Sequence, residues 1–181
     1  MSTRHPDSGP TVVADDARSI NDSPDCVVDV DRWRDLAVAS LRTEGASGEL
    51  TLTFIDRSEI AELNEQYMGK VGPTDVLSFP LDDAADDDDD DADDAAEDVP
   101  VLLGDIVLSP AVADAQYREH AGTFDDELAL LVVHGVLHIL GHDHAGTADT
   151  ALMRSRELAL LAEHHWGGPA PAVFRQEHTD D

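Results

Sequence analysis

A chain of 181 residues with 40 acidic against 11 basic side chains, a formal net charge of −29, suits one domain rather than two. That balance repels phosphates and so argues against nucleic acid, DNA and RNA alike, an objection that any RNA-directed reading has to meet. The single cysteine, Cys26, excludes an intrachain disulfide and fits a reducing compartment. The longest apolar stretch, 128–140, is too short to cross a bilayer, and the polar opening residues carry no signal-peptide core. The expectation is a soluble, cytoplasmic protein that binds no membrane.

In chain order, residues 1–26 read as a loose polar leader with one short strand at 11–14. Trp33, Leu36, Ala37 and Leu41 are spaced as on a helix over 31–42. Residues 49–55 alternate as a strand. A helix capped by Asp56 or Ser58 follows to about Met68, and Gly69 to Pro73 break it. Residues 74–79 read as a strand ended by Pro80. The segment 82–98 holds 12 acidic residues in 17 and nothing apolar larger than alanine. It cannot bury a core and is expected to be a disordered insert. Residues 101–108 form another strand, and Pro110 opens a helix through about Glu119. Thr123, with Asp126 three residues on, caps the longest helix, which runs to Leu140 and stops at Gly141. Thr147 is the expected cap of a last helix to about His165. The domain then spans 27–168, with a polar tail at 169–181. The fold class is α+β, an α/β sandwich: a small mixed sheet of about four strands covered by about five helices.

Four of the nine histidines fall within His134-Gly-Val-Leu-His138-Ile-Leu-Gly141-His142-Asp143-His144. Two residues four apart on a helix differ by about 40° in direction and roughly 6 Å in height, so His134 and His138 share one face. That separation lets two imidazoles reach one tetrahedral zinc. Gly141 lets the chain double back, and His144 supplies a third nitrogen from the loop, with His142 as the alternative. Three protein ligands leave a fourth position for water, the arrangement of a catalytic site. Zinc suits three imidazoles best, and nickel and copper are the alternatives.

The same spacing occurs in metzincin peptidases, which carry a glutamate base directly after the first histidine. Here that position is Gly135, which can accept no proton.

The run His134 to His144 also fits every fixed position of H-G-x-L-H-x-x-G-x-D-H, the pattern of the YbeY family of bacterial rRNA-maturation endoribonucleases. Gly72-Pro-Thr-Asp-Val-Leu-Ser-Phe-Pro80 and Leu102-Leu-Gly-Asp-Ile-Val107 supply two further matching blocks, in the family's order and spacing apart from the acidic insert. The resemblance covers about residues 49–165. It implies a single-zinc hydrolase, one zinc per chain held by His134, His138 and His144. It also implies a role in 16S rRNA 3′-end processing and ribosome quality control. The implied partners are rRNA and the small ribosomal subunit, with ribosomal proteins or an assembly GTPase. Two departures stand out. Met68 occupies the place of an arginine in the family's Y-R-G-K turn, and His142 that of a frequent tyrosine.

Asp143 and Asp105 are candidates to orient metal ligands. Lys70, Arg57 and Ser78 are candidates for substrate contact, and the family places Ser78 and Asp75 near the cleft. Two other readings are kept: a metallopeptidase, and a ribosome-assembly factor whose metal is structural. The pervasive acidity is read as adaptation to high salt, which screens self-repulsion and weakens backbone-driven RNA affinity.

Overall fold

A computed structural model describes residues 9–20, 22–81, 101–143 and 145–176. The acidic insert expected at 82–98 and the third histidine, His144, lie outside the described residues.

The strands are β1 (Thr11–Asp16), β2 (Glu49–Phe54), β3 (Val76–Pro80) and β4 (Leu102–Leu108). The helices are α1 (Val30–Thr43), α2 (Arg57–Leu63), α3 (Pro110–Gln116), α4 (Phe124–Ile139) and α5 (Thr147–Leu161). α2 and α5 each run on into one π-helical turn, Asn64–Met68 and Ala162–Trp166, closed by a left-handed glycine, Gly69 or Gly167. The sheet order is β1-β2-β4-β3. β1, β2 and β4 are parallel, and β3 pairs antiparallel at the edge. This is the mixed α+β sheet expected from the sequence, four strands with five helices among the described residues.

The alternation in β2 and β4 decides which face is core. Leu50, Leu52, Phe54, Ile106 and Leu108 are fully buried and turn to the helices. α4 is apolar on nearly every side, and Leu128 to Val133 show no exposure at all. A helix apolar all round belongs at the centre. Accordingly α4 lies against the sheet, with α1 and α5 packed on it through Trp33, Leu36, Leu41, Met153 and Leu160.

Three local readings are corrected. Thr147 is not a cap: Gly146 takes that position, and Thr147 is the first helical residue. Asp56 flanks α2, but its carboxylate accepts from the Ser19 amide, while Asp22 accepts the Arg57 amide instead. β1 continues to Asp16 because its whole length pairs with β2, through Asp16 opposite Phe54.

Close approach of α4 to the sheet depends on two glycines. A Cβ on Gly135 would lie 2.9 Å from Ile106 Cγ2, so the helix position after His134 has no room for a side chain. Gly104, at φ +151°, faces the end of α4: a Cβ there would lie 2.5 Å from the Phe79 carbonyl oxygen and 2.7 Å from Ile139 Cδ1. Gly104→Ala should lower stability by about 2 kcal/mol or more in urea melts, since neither the strained backbone nor the carbonyl can give way cheaply.

The amino end of α4 is anchored by a buried polar network. Thr123 caps it through the Asp126 amide (3.1 Å). Glu127, with no exposed surface, accepts from Gln116 Nε2 (2.8 Å) and the Ala121 amide (3.1 Å). Gln116 Nε2 also donates to Asp75 (2.8 Å), so Asp75 is a buried bracing residue in this structure. Burial pushes the Glu127 carboxyl above its ordinary range, against the opposing pull of those donors. A raised folded-state value gives stability that is complete below the unfolded value and is lost as pH rises through the folded one. Relative to the parent, Glu127→Gln should therefore gain stability in urea melts as pH rises from the ordinary carboxylate range through the raised folded-state value.

Candidate metal centre

The longest helix carries His134 and His138 one turn apart, as their spacing predicts. Their rings lie edge to face, centroids 4.4 Å apart at 82°. His134 is buried, with 6% of its side chain exposed, whereas His138 is half-buried. The helix ends at Leu140, Gly141 takes φ +97°, and the His142 amide returns to the Leu137 carbonyl (3.0 Å). This is the reversal expected at Gly141. The third expected ligand, His144, lies outside the described residues, and among those described no group of three or more candidate ligands converges.

A residue that sequence reasoning passed over completes the environment of His134. Glu157 of α5 shows no exposed surface, and its Oε1 lies 2.6 Å from His134 Nδ1. A carboxylate can only accept, so Nδ1 carries the proton and Nε2 becomes the nitrogen a metal would take. The other oxygen, Oε2, accepts from Gln176 Nε2 (2.6 Å), which also donates to the Arg154 carbonyl (2.7 Å). A buried carboxylate needs such partners. The donor set therefore fits a cation: two imidazoles on one helix face, one of them held in a fixed tautomer. The overlooked signal was helical spacing. Glu157 lies on the same face as Met153, Leu160 and Leu161, all buried, and a charge on an apolar stripe needs a partner.

The other candidates separate. Ser78, on the α4 side of edge strand β3, donates to the Gly135 carbonyl at 3.4 Å and so touches the histidine turn. Asp143 is exposed in the loop after Gly141. Asp105 is turned away: its neighbours Gly104 and Ile106 face α4, so strand alternation puts its exposed side chain on the opposite face. The carboxylate that meets His134 belongs to Glu157. Arg57 is exposed at the start of α2, beyond the carboxyl end of β2, whereas Gly135 and Ile139 pack on β4 at Ile106 and Gly104. The structure does not bring Arg57 to the histidines. Lys70 is half-buried after the π-helical turn, its amide on the Asn64 carbonyl (3.4 Å). Met68, at the position of the resembled family's arginine, is exposed.

The family model described as endoribonuclease YbeY matches residues 18–165. An endoribonuclease YbeY of Salinispora tropica is 44% identical over 138 residues, 74% of this chain and 88% of that protein. One of Acidothermus cellulolyticus is 46% identical over 122 residues, 65% of this chain and 74% of that protein. The solution structure of TM1509 from Thermotoga maritima matches with a TM-score of 0.51 at 23% identity, covering 87% of this chain and 93% of that one, and so shares the fold.

Removing an outer carboxylate from a metal-ligating histidine typically lowers metal affinity by about 10- to 100-fold. Glu157→Gln should do the same here in a competition titration with a chelating dye. An unchanged affinity would separate Glu157 from the site.

Proposed function

The chain belongs to the YbeY family of endoribonucleases, and from that premise we propose that it cleaves RNA phosphodiester bonds at a single zinc centre. Its ligands are His134, His138 and His144, and its role is maturation of the 16S rRNA 3′ end and quality control of ribosomes. The observation that carries this reading is the buried Glu157 carboxylate on His134 Nδ1, with His138 one turn away. Zinc, when bound, supplies a Lewis acid that polarises a phosphoryl oxygen and acidifies water.

The protein's own residues do the rest. Glu157 keeps the proton on Nδ1 of His134, and Gln176 holds Glu157 in that orientation. Ser78 tethers edge strand β3 to the helix turn that bears His134. Asp143, next to His144 in sequence, is the candidate to orient that ligand. Lys70 serves as a phosphate contact near Met68. As a point charge it cannot reproduce the two-pronged grip of the arginine found there in the resembled family. The substrate is rRNA within or released from the small ribosomal subunit, reached through ribosomal proteins or an assembly GTPase. A peptidase mechanism is disfavoured doubly: Gly135 has no proton acceptor, and a glutamate side chain there would meet Ile106.

Tag-free protein should cleave a structured rRNA 3′-end fragment in a chelator-sensitive manner and leave casein intact. His138→Ala should lower the cleavage rate by roughly 100-fold or more, as expected when the group polarising the reacting oxygen loses a ligand. Cleavage indifferent to both chelator and His138→Ala would overturn the proposal, as would digestion of casein.

A further inference from the structure

We propose that a second site binds the phosphodiester backbone of the RNA strand, in the cavity between the α3–α4 turn and the C-terminal segment, with Arg118 and Arg175 as its cations. It rests on reading the protein as an RNA-cleaving enzyme and concerns how so acidic a molecule holds its substrate.

The cavity has a volume of about 590 Å³ and is lined by Arg118, Glu119, Gly122, Ala172, Val173 and Arg175. Four of the ten arginines of this chain are neutralised at home. Arg18, Arg32, Arg34 and Arg156 each have a carboxylate within 4.0 Å. Arg118 and Arg175 are exposed and form no ion pair among the described residues, although acidic side chains outnumber basic ones 40 to 11. Two like charges opening on one cavity repel, and an anion between them removes that repulsion. Paired guanidinium forks suit a phosphodiester, which each can grip through two parallel hydrogen bonds.

The walls are held in place before any ligand arrives. The Arg175 amide donates to the His120 carbonyl (3.2 Å), and a Cβ on Gly122 would touch Val173 at 3.0 Å. Phe174 packs on Trp166 edge to face, centroids 4.7 Å apart. The Arg118 guanidinium lies 4.7 Å from the centroid of the Tyr117 ring, a cation–π contact that orients it. Such prior ordering lowers the entropic penalty of binding.

Position favours the enzyme's own substrate over a stray anion. The residue after Arg175 is Gln176, whose side chain reaches Glu157 Oε2, and Glu157 Oε1 holds His134 (2.6 Å for each contact). The cavity is therefore linked to His134 through one short chain of contacts, Arg175 to Gln176 to Glu157. Glu119, the acidic side chain among the lining residues, works against an anion there.

The test measures binding of a labelled single-stranded RNA oligonucleotide to the metal-loaded protein by anisotropy on ice, across a salt series, with cleavage read separately on gels. Arg118→Gln with Arg175→Gln should weaken binding roughly tenfold or more, in line with loss of charge-assisted contacts. The slope of log K against log salt should become shallower by about 1.4, two phosphates at ~0.7 each. Lysine at both positions should keep the slope, and Glu119→Gln should tighten binding. All three sites are exposed, so matched melting temperatures control for folding. Wild-type affinity and slope in the double glutamine variant would overturn the proposal. So would complete displacement of any bound anion by inorganic phosphate with no effect on RNA. If the parent binds RNA through these arginines yet cleaves none, the catalytic reading fails and the site stands. If cleavage persists while the arginines prove inert, the site fails alone.

Discussion

A carboxylate with no exposed surface, Glu157, holds the ring of His134 at 2.6 Å, and the architecture around it is arranged to make that contact possible. Burying a charged oxygen is expensive unless every lone pair is met. The structure meets them from two directions. α4 delivers the imidazole from the centre of the core, and the C-terminal segment delivers the Gln176 amide. α4 can lie close enough to the sheet only because Gly135 and Gly104 present no side chains where Ile106, Ile139 and the Phe79 carbonyl pass. The interaction thus couples helix packing, tail docking and the tautomer of one ring.

Acidity shapes the remainder. With a net charge of −29, long-range attraction to RNA is absent, so affinity has to be built locally. The molecule pairs several of its cations internally, as at Arg32 with Asp125 and Arg156 with Glu44, and leaves others for the solvent-facing cavity beside the tail. At high salt such local, two-pronged contacts outlast diffuse attraction, because their strength comes from geometry as well as charge.

Much of this was legible in the sequence, for reasons that can be named. Strict alternation in Glu49–Phe54 and the apolar density of α4 marked the sheet and the central helix. The four-residue spacing of His134 and His138 marked the shared face, and Gly141 the reversal after it. The missing parts depend on long-range placement. Nothing local reveals that Asp22, rather than Asp56, receives the first amide of α2, since that contact spans 35 residues. Asp105 stood beside a matching glycine in sequence, yet one step along a strand turned it to the wrong face. Glu157 did leave a trace, a charge on an apolar helical stripe, but its partner lies 23 residues away. Gln176 left none: it comes from a polar tail that composition alone would set aside.

The most direct measurement of the central claim is long-range proton–nitrogen NMR of the histidine rings, with His134 assigned by its absence in His134→Gln. The account predicts that His134 is neutral and protonated at Nδ1, and that Glu157→Gln perturbs this signal first. A ring protonated at Nε2, or at both nitrogens, would contradict it, because neither form can both donate Nδ1–H to the carboxylate and offer the Nε2 lone pair to a cation.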